Sequence, residues 1–356
     1  MEQRRKNLTQ LFIPICLETL LYMLSGMVDT LMLSSVNDQA VGAVGTANTY
    51  IGIFIIMFSV ISSGMVAVMT QNIGAGRPGV AYQARQLGLA FNAVLGIIMS
   101  LFLSLGAGTI LSGVGVADAL MQPAKTYLQI VGGFCILNAL IPICSSYLRA
   151  FGFSKEPLYA SIIGNVINFC LNAFFLFVLH KGVAGVATAT VISRIINLVI
   201  VVLLGAVLVK AKQHPERESN REVMGQIIRI GLPSACETAI YNVSMTLVIR
   251  FLNQMDAQGL NVTARSYTMQ ITNFSYCVGA ALAQANAIMT GWHIGAKEYD
   301  ACDRGTRKAA IIGVIVAVIL ETMFALCSGW IMQLFSKDPQ MVSLVGKLLA
   351  IDIVLE

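Results

Sequence analysis

The sequence predicts an all-α integral membrane protein built from two homologous six-helix bundles, and three observations carry that prediction. Hydrophobic residues make up 56% of the 356 and charged residues only 12%, whereas soluble domains carry about 25% charged residues. Apolar runs recur along the whole chain, most of them as long as the roughly 20 helical residues needed to cross a hydrocarbon core of about 30 Å. Residues 11–22, LFIPICLETLLY, return 219 positions later as IGLPSACETAIY at 230–241, with Pro14/Pro233, Glu18/Glu237, Thr19/Thr238 and Tyr22/Tyr241 in register. A repeat of that size marks a duplicated helical unit.

Helices are expected at about 11–34, 48–73, 83–112, 121–149, 157–179, 183–209, 224–252, 262–293, 305–333 and from about 340 onward. Turn residues separate them, as in GAGRPG at 74–79, SKEP at 154–157 and KDP at 337–339. The first run follows MEQRRK in the manner of a secretory signal. It extends to about Ser34 and contains Glu18 and Asp29, so it reads as the first membrane helix. The longest polar break, KAKQHPERESNRE at 210–222, precedes the second copy of the repeat. Residues 1–209 are therefore expected as a first six-helix lobe, 210–222 as a cytoplasmic linker, and 223–356 as a second lobe.

Aligning Ile73-Gly74-Ala75 with Ile294-Gly295-Ala296 sets Glu356 opposite about Cys135, inside the fourth helix of the unit. The second bundle is thus expected to stop within helix ten. A helix cut there would strand carbonyls in hydrocarbon, so the sequence reads as a fragment of a longer reading frame. With the N-terminus in the cytoplasm, sixteen Lys and Arg fall in inner connectors against five (Lys125, Lys181, Arg250, Arg265 and Lys337) outside. That asymmetry fixes the expected orientation.

The net charge of +5 is spread over connectors and forms no aromatic-interleaved basic patch, which argues against a nucleic-acid partner. Seven of the eight cysteines lie in apolar stretches with no C-x-x-C pair, which points to packing and away from a metal or disulfide framework. No phosphate-binding loop follows a strand and the three histidines are scattered, so no catalytic grouping or cofactor is expected.

Ionisable groups inside membrane spans are costly, about 2.5–3.5 kcal/mol each at a helix centre, and are functional candidates for that reason. Glu18, Tyr22, Ser25 and Asp29 follow at i, i+4, i+7 and i+11 and share one face of the first helix. The fifth expected helix adds Asn165, Asn168 and Asn172, and the sixth adds Thr190, Arg194 and Asn197. Counted from their outer ends, Asp29, Asn172 and Thr190 fall in one layer. Two readings stand beside each other: convergence on an ion or proton site, and interhelical hydrogen bonds worth about 0.6 kcal/mol each. For Glu18 and Glu237 the second reading is satisfaction of backbone groups freed by Pro14 and Pro233.

Several segments together resemble the multidrug and toxic compound extrusion (MATE) family. They are Leu24-Ser25-Gly26-Met27-Val28-Asp29-Thr30, Gln71-Asn72-Ile73-Gly74-Ala75-Gly76, Tyr147-Leu148-Arg149-Ala150-Phe151-Gly152, Asn168-Phe169-Cys170-Leu171-Asn172, and residues 182–190, GVAGVATAT. The resemblance implies a twelve-helix transporter of two lobes in the cell inner membrane, a monomer that exports small organic cations in exchange for Na+ or H+. It also implies a coupling-ion site at Asp29, Asn168, Asn172 and Thr190, with Asp29, Asn168 and Asn172 as ligands if the ion is Na+. Position 172 is Asn where the family often has Asp, so one carboxylate is missing. Glu18, Tyr22, Glu237 and Tyr241 are the expected polar groups of the substrate path. The rival expectations are a lipid-linked oligosaccharide flippase of the same superfamily, which needs a cationic cavity, and a truncated remnant that does not transport.

Overall fold

With no water in a bilayer core to satisfy the backbone, apolar runs of this length must close their own hydrogen bonds, and helices do so. The computed structural model describes residues 6–34, 38–113, 116, 118–209, 215–255, 260–332 and 339–355, and no strand occurs among them. The expected positions of Arg4, Arg5, Lys210, Lys212, Lys337 and Glu356 lie outside the described residues.

The first half runs through α1 (Leu8–Ser34), α2 (Asp38–Gly74), α3 (Pro78–Gly113), α4 (Asp118–Tyr127), α5 (Ile136–Ala150), α6 (Lys155–Ala173) and α7 (Gly182–Leu208). The second half holds α8 (Asn220–Met255), α9 (Leu260–Gly295), α10 (Tyr299–Met332) and α11 (Pro339–Leu355). Among the described residues, five helical stretches are long and apolar enough to cross a membrane by composition alone, and two bent pairs raise the number to seven. Neither α8 nor α9 is among them. Both carry polar residues mid-helix, such as Glu237, Asn242, Thr268 and Thr272.

Two expected boundaries need correction. Helix α2 begins at Asp38, well before the expected start near 48. Its small residues Ala40, Ala43 and Ala47 are buried and let α4 approach closely. The helix expected at 121–149 is not continuous. A π-helical turn at Leu128–Gly132 separates α4 from α5, and the two pieces meet at 42°. The break is stabilised by α3, where Gly96 leaves room for the Ile136 backbone and Ser100 Oγ accepts the Ile136 N–H at 3.0 Å. A neighbouring hydroxyl thus replaces the lost ladder bond. A second π-helical turn, Phe174–Val178, ends the α6 crossing.

The largest apolar cluster joins both halves, with Leu11, Met65 and Met69 against Ile227, Ile288 and Trp292. Glycines set how closely the halves approach. A Cβ on Gly64 would stand 2.0 Å from the Ile227 carbonyl oxygen, and one on Gly231 1.9 Å from that of Val60. Gly74 and Gly295, which match each other in the repeat, do this reciprocally. A Cβ on Gly74 would meet the Trp292 carbonyl oxygen at 2.2 Å, and one on Gly295 would meet that of Gln71 at 1.9 Å. These contacts lie at the end of the molecule that holds the start of α1. Residues 215–219, within the expected linker, are pinned to the start of α3: Arg217 Nη1 donates to the Gly79 carbonyl at 3.1 Å, and Gln83 Nε2 donates to the Glu218 carbonyl at 2.7 Å. Glu218 also pairs with Arg77.

Candidate functional site

Helices α1 and α6 run parallel, joined by polar side chains at a steady register. Ser161 Oγ donates to Glu18 Oε1 at 3.3 Å, and Asn172 Nδ2 donates to Asp29 Oδ1 at 2.6 Å, each pair 143 residues apart. Between them Asn165 Nδ2 donates to the Leu21 carbonyl at 3.3 Å. The polar stripe of α6 recurs at 161, 165, 168 and 172, which the 3.6-residue turn keeps on one face.

At the far end of this ladder the Asn172 amide also donates to Asn168 Oδ1 at 3.2 Å. Asn172 and Asn168 are buried and Asp29 half-buried. Three of the four expected coupling residues, Asp29, Asn168 and Asn172, therefore form one hydrogen-bonded cluster. Thr190 does not join it in this way: its hydroxyl donates to the Val186 carbonyl of its own helix at 2.9 Å. Arg194, one turn further along α7, lies within electrostatic reach of Asp29. Tyr127 of α4, hydrogen-bonded to Asn48 of α2, is within the same reach of Asp29 and Arg194.

The cluster suits a small cation or a proton. Asp29 and Asn168 aim oxygens at the Asn172 amide nitrogen, and Asn172 Oδ1 is buried with no hydrogen-bond partner among the described residues. An amide's oxygen and nitrogen exchange places by a half-turn. That turn would bring a third oxygen to the same point, the hard-oxygen environment that alkali and alkaline-earth cations take. No group of three His, Cys, Asp or Glu side chains suited to a transition metal occurs among the described residues.

Glu18, at the other end of the ladder, is not satisfying backbone freed by Pro14. Its Oε2 accepts from Arg149 Nη2 at 2.5 Å, and Arg149 Nη1 donates to Gln284 Oε1 of α9 at 2.7 Å. Its repeat partner Glu237 is exposed, and with Tyr241 it lines a cavity of about 1300 Å³ together with Arg265, Thr268 and Thr272. Tyr22 is 63% exposed. The four expected substrate-path groups are thus not gathered in one place.

Tyr127, Asn48 and Gln284 escape detection in the sequence because they are uncharged and belong to no polar stripe that points to a partner helix. Glu321, a carboxylate 1% exposed on α10, is absent from the expected sites too, although the rule applied to Asp29 would find it. Arg265, counted on the outer side, lies inside α9 with its guanidinium against Met245 Sδ at 2.9 Å.

Long apolar helices closed over buried polar clusters describe a multi-pass membrane protein. The MatE family model matches residues 14–174 and 233–355, both halves of the repeat, and the chain belongs to that family. The uncharacterized transporter YisQ of Bacillus subtilis (strain 168) is 32% identical over 349 residues, covering 96% of this chain and 76% of the relative. NorM of Thermotoga maritima, named a probable multidrug resistance protein, is 24% identical, with 96% of this chain and 74% of the relative covered. Among solved structures, a MATE transporter in its straight conformation superposes with a TM-score of 0.85 at 20% identity, over 98% of this chain and 79% of the other. That likeness shows the fold.

Proposed function

We propose that this protein is a secondary active exporter that carries small organic, cationic compounds out of the cell in exchange for Na+ or H+. The observation that carries the reading is the cluster of Asp29, Asn168 and Asn172 between α1 and α6. A lone carboxylate among amide groups in an apolar bundle has a cost in the absence of function. The multidrug resistance name of NorM supports export of such compounds, and Tyr241 and Tyr276 line the large cavity with aromatic rings, a residue type that attracts cations. Among the described residues the cavity's charged lining is Glu237 and Arg265, one of each sign, which does not favour a pyrophosphate-linked sugar.

The positive-inside asymmetry supports a cytoplasmic start for α1. With that orientation the glycine contacts between the halves lie on the cytoplasmic side, and the conformation is closed inward. In this scheme uptake of an ion from outside at Asp29 competes with the Asn172 amide, shifts α1 against α6, and lowers the affinity for the exported compound. Ion and compound share a coupling free energy without meeting.

Proteoliposomes with separately imposed Na+ and pH gradients test this through ethidium transport. Transport driven by one gradient and lost in Asp29→Asn is the expected result; transport undiminished in Asp29→Asn would overturn the assignment.

A further inference from the structure

We infer that Arg149 is a positioning residue that ties α1, the helix bearing Asp29, to the opposite half of the molecule, so that movement of α1 is conveyed to the contact between the halves. The inference rests on the exporter reading above and assigns a role to residues outside the ion cluster.

Glu18 and Asp29 are eleven residues apart on α1, about 16 Å at 1.5 Å per residue. Both are held to α6 in the same register by Ser161 and Asn172. A change at Asp29 is therefore not local: a shift of α1 along α6 moves Glu18 by the same amount. Glu18 passes that movement to Arg149, whose side chain is 9% exposed while that of Glu18 is 14% exposed. Arg149 stands in the last turn of α5, and its second terminal nitrogen reaches Gln284 of α9. Next to it the Trp292 indole N–H donates to the Ala150 carbonyl at 2.9 Å, so the end of α5 is fixed to α9 at two points. Helices α1 and α9 also pack directly on each other, and among the described residues the polar contacts of that packing are long, with Asn273 Nδ2 and Cys277 Sγ at 3.8 and 3.9 Å from Met23 Sδ.

The chemistry of the three partners suits a joint that must open. The planar guanidinium addresses two partners at once from a fixed fork, which the single ammonium of a lysine does not. The link across the halves is to a neutral amide, while the charge pair lies wholly within the first half. Parting of the halves then releases a neutral bond and leaves no carboxylate buried alone. Arg149 Nε is buried without a hydrogen-bond partner among the described residues, a spare donor for the guanidinium to use after Gln284 withdraws.

The test uses the full chain in proteoliposomes with two readouts: ethidium accumulation driven by an ion gradient compared with downhill ethidium flux, and the maleimide labelling rate of Cys277, buried beside α1. Gln284→Leu leaves the Glu18–Arg149 pair intact, and Arg149→Lys keeps the charge. Both are expected to lower the accumulation ratio about tenfold, within the roughly 5–150-fold range of ordinary site coupling, while downhill flux stays within about threefold. Adding Na+ or shifting pH is expected to change Cys277 labelling in the wild type and not in the variants. Wild-type accumulation ratios or wild-type labelling responses in both variants would overturn the role of Arg149. A wild type that carries no ethidium yet shows the labelling response, lost in the variants, would overturn the exporter reading and sustain this one. A wild type with neither response overturns both.

Discussion

In the first half Glu18 is enclosed by Arg149 and Ser161, whereas Glu237, its counterpart in the repeat, stands exposed beside a cavity of about 1300 Å³. The two copies share the local chemistry of the motif. Thr19 donates to the Ile15 carbonyl at 2.9 Å and Thr238 to that of Ser234 at 3.1 Å, each four residues back, and both prolines are absorbed within continuous helices. The copies differ in what surrounds the carboxylate. Helix α1 packs about equally on α6 of its own half and on α9 of the other, while α8 packs mainly on α2 and α3 of the other. A repeated motif thus determines a helix and its hydroxyl bonds, while burial of the Glu18 charge comes from Arg149 and Ser161, whose counterparts in the second copy would fall beyond residue 356.

Paired substitutions turn this contrast into measurement. The largest difference is expected between Glu18→Leu and Glu237→Leu. The first strands a buried guanidinium and should cost about 3–5 kcal/mol; the second changes an exposed group and should stay within about 0.5 kcal/mol. Thermal unfolding in detergent, followed by tryptophan fluorescence, compares them, and equal losses would show that the surroundings of the two carboxylates are alike. Next come Gly74→Val and Gly295→Val, where symmetry predicts equality. Each side chain would collide with a carbonyl across the halves, so each should cost about 1–3 kcal/mol as overpacking and speed maleimide labelling of Cys277. A strongly unequal pair would show that the contact is reciprocal in position only. The smallest effects are expected from Thr19→Val and Thr238→Val, about 0.5 kcal/mol or less in both copies by the same unfolding measurement, since each hydroxyl bonds only a carbonyl that its own helix already uses.

The membrane crossings are legible in the sequence because the cost of unpaired backbone in hydrocarbon leaves a mark in every apolar run. Asp29, Asn168 and Asn172 are legible too, since helical spacing places them on facing stripes. The break between α4 and α5 is not, because it depends on Gly96 and Ser100 of α3, over thirty residues away. Arg149 reads as a connector charge on the strength of its place near a helix end. Only its approach to Glu18 and Gln284, 131 and 135 residues distant, gives it another meaning. Periodicity locates faces, and it is silent on which face meets which.

The reciprocal approach of Gly74 and Gly295 bears on ancestry. A contact in which each member of a repeat touches the other's equivalent backbone is isologous, the kind that joins two identical subunits about a two-fold axis. Gln71 and Trp292, the residues whose carbonyls are met, stand in the same repeat relation as the glycines. A single-repeat precursor would therefore already possess the surface needed to form a homodimer, and joining two copies through residues 210–222 would preserve that interface while freeing each copy to diverge.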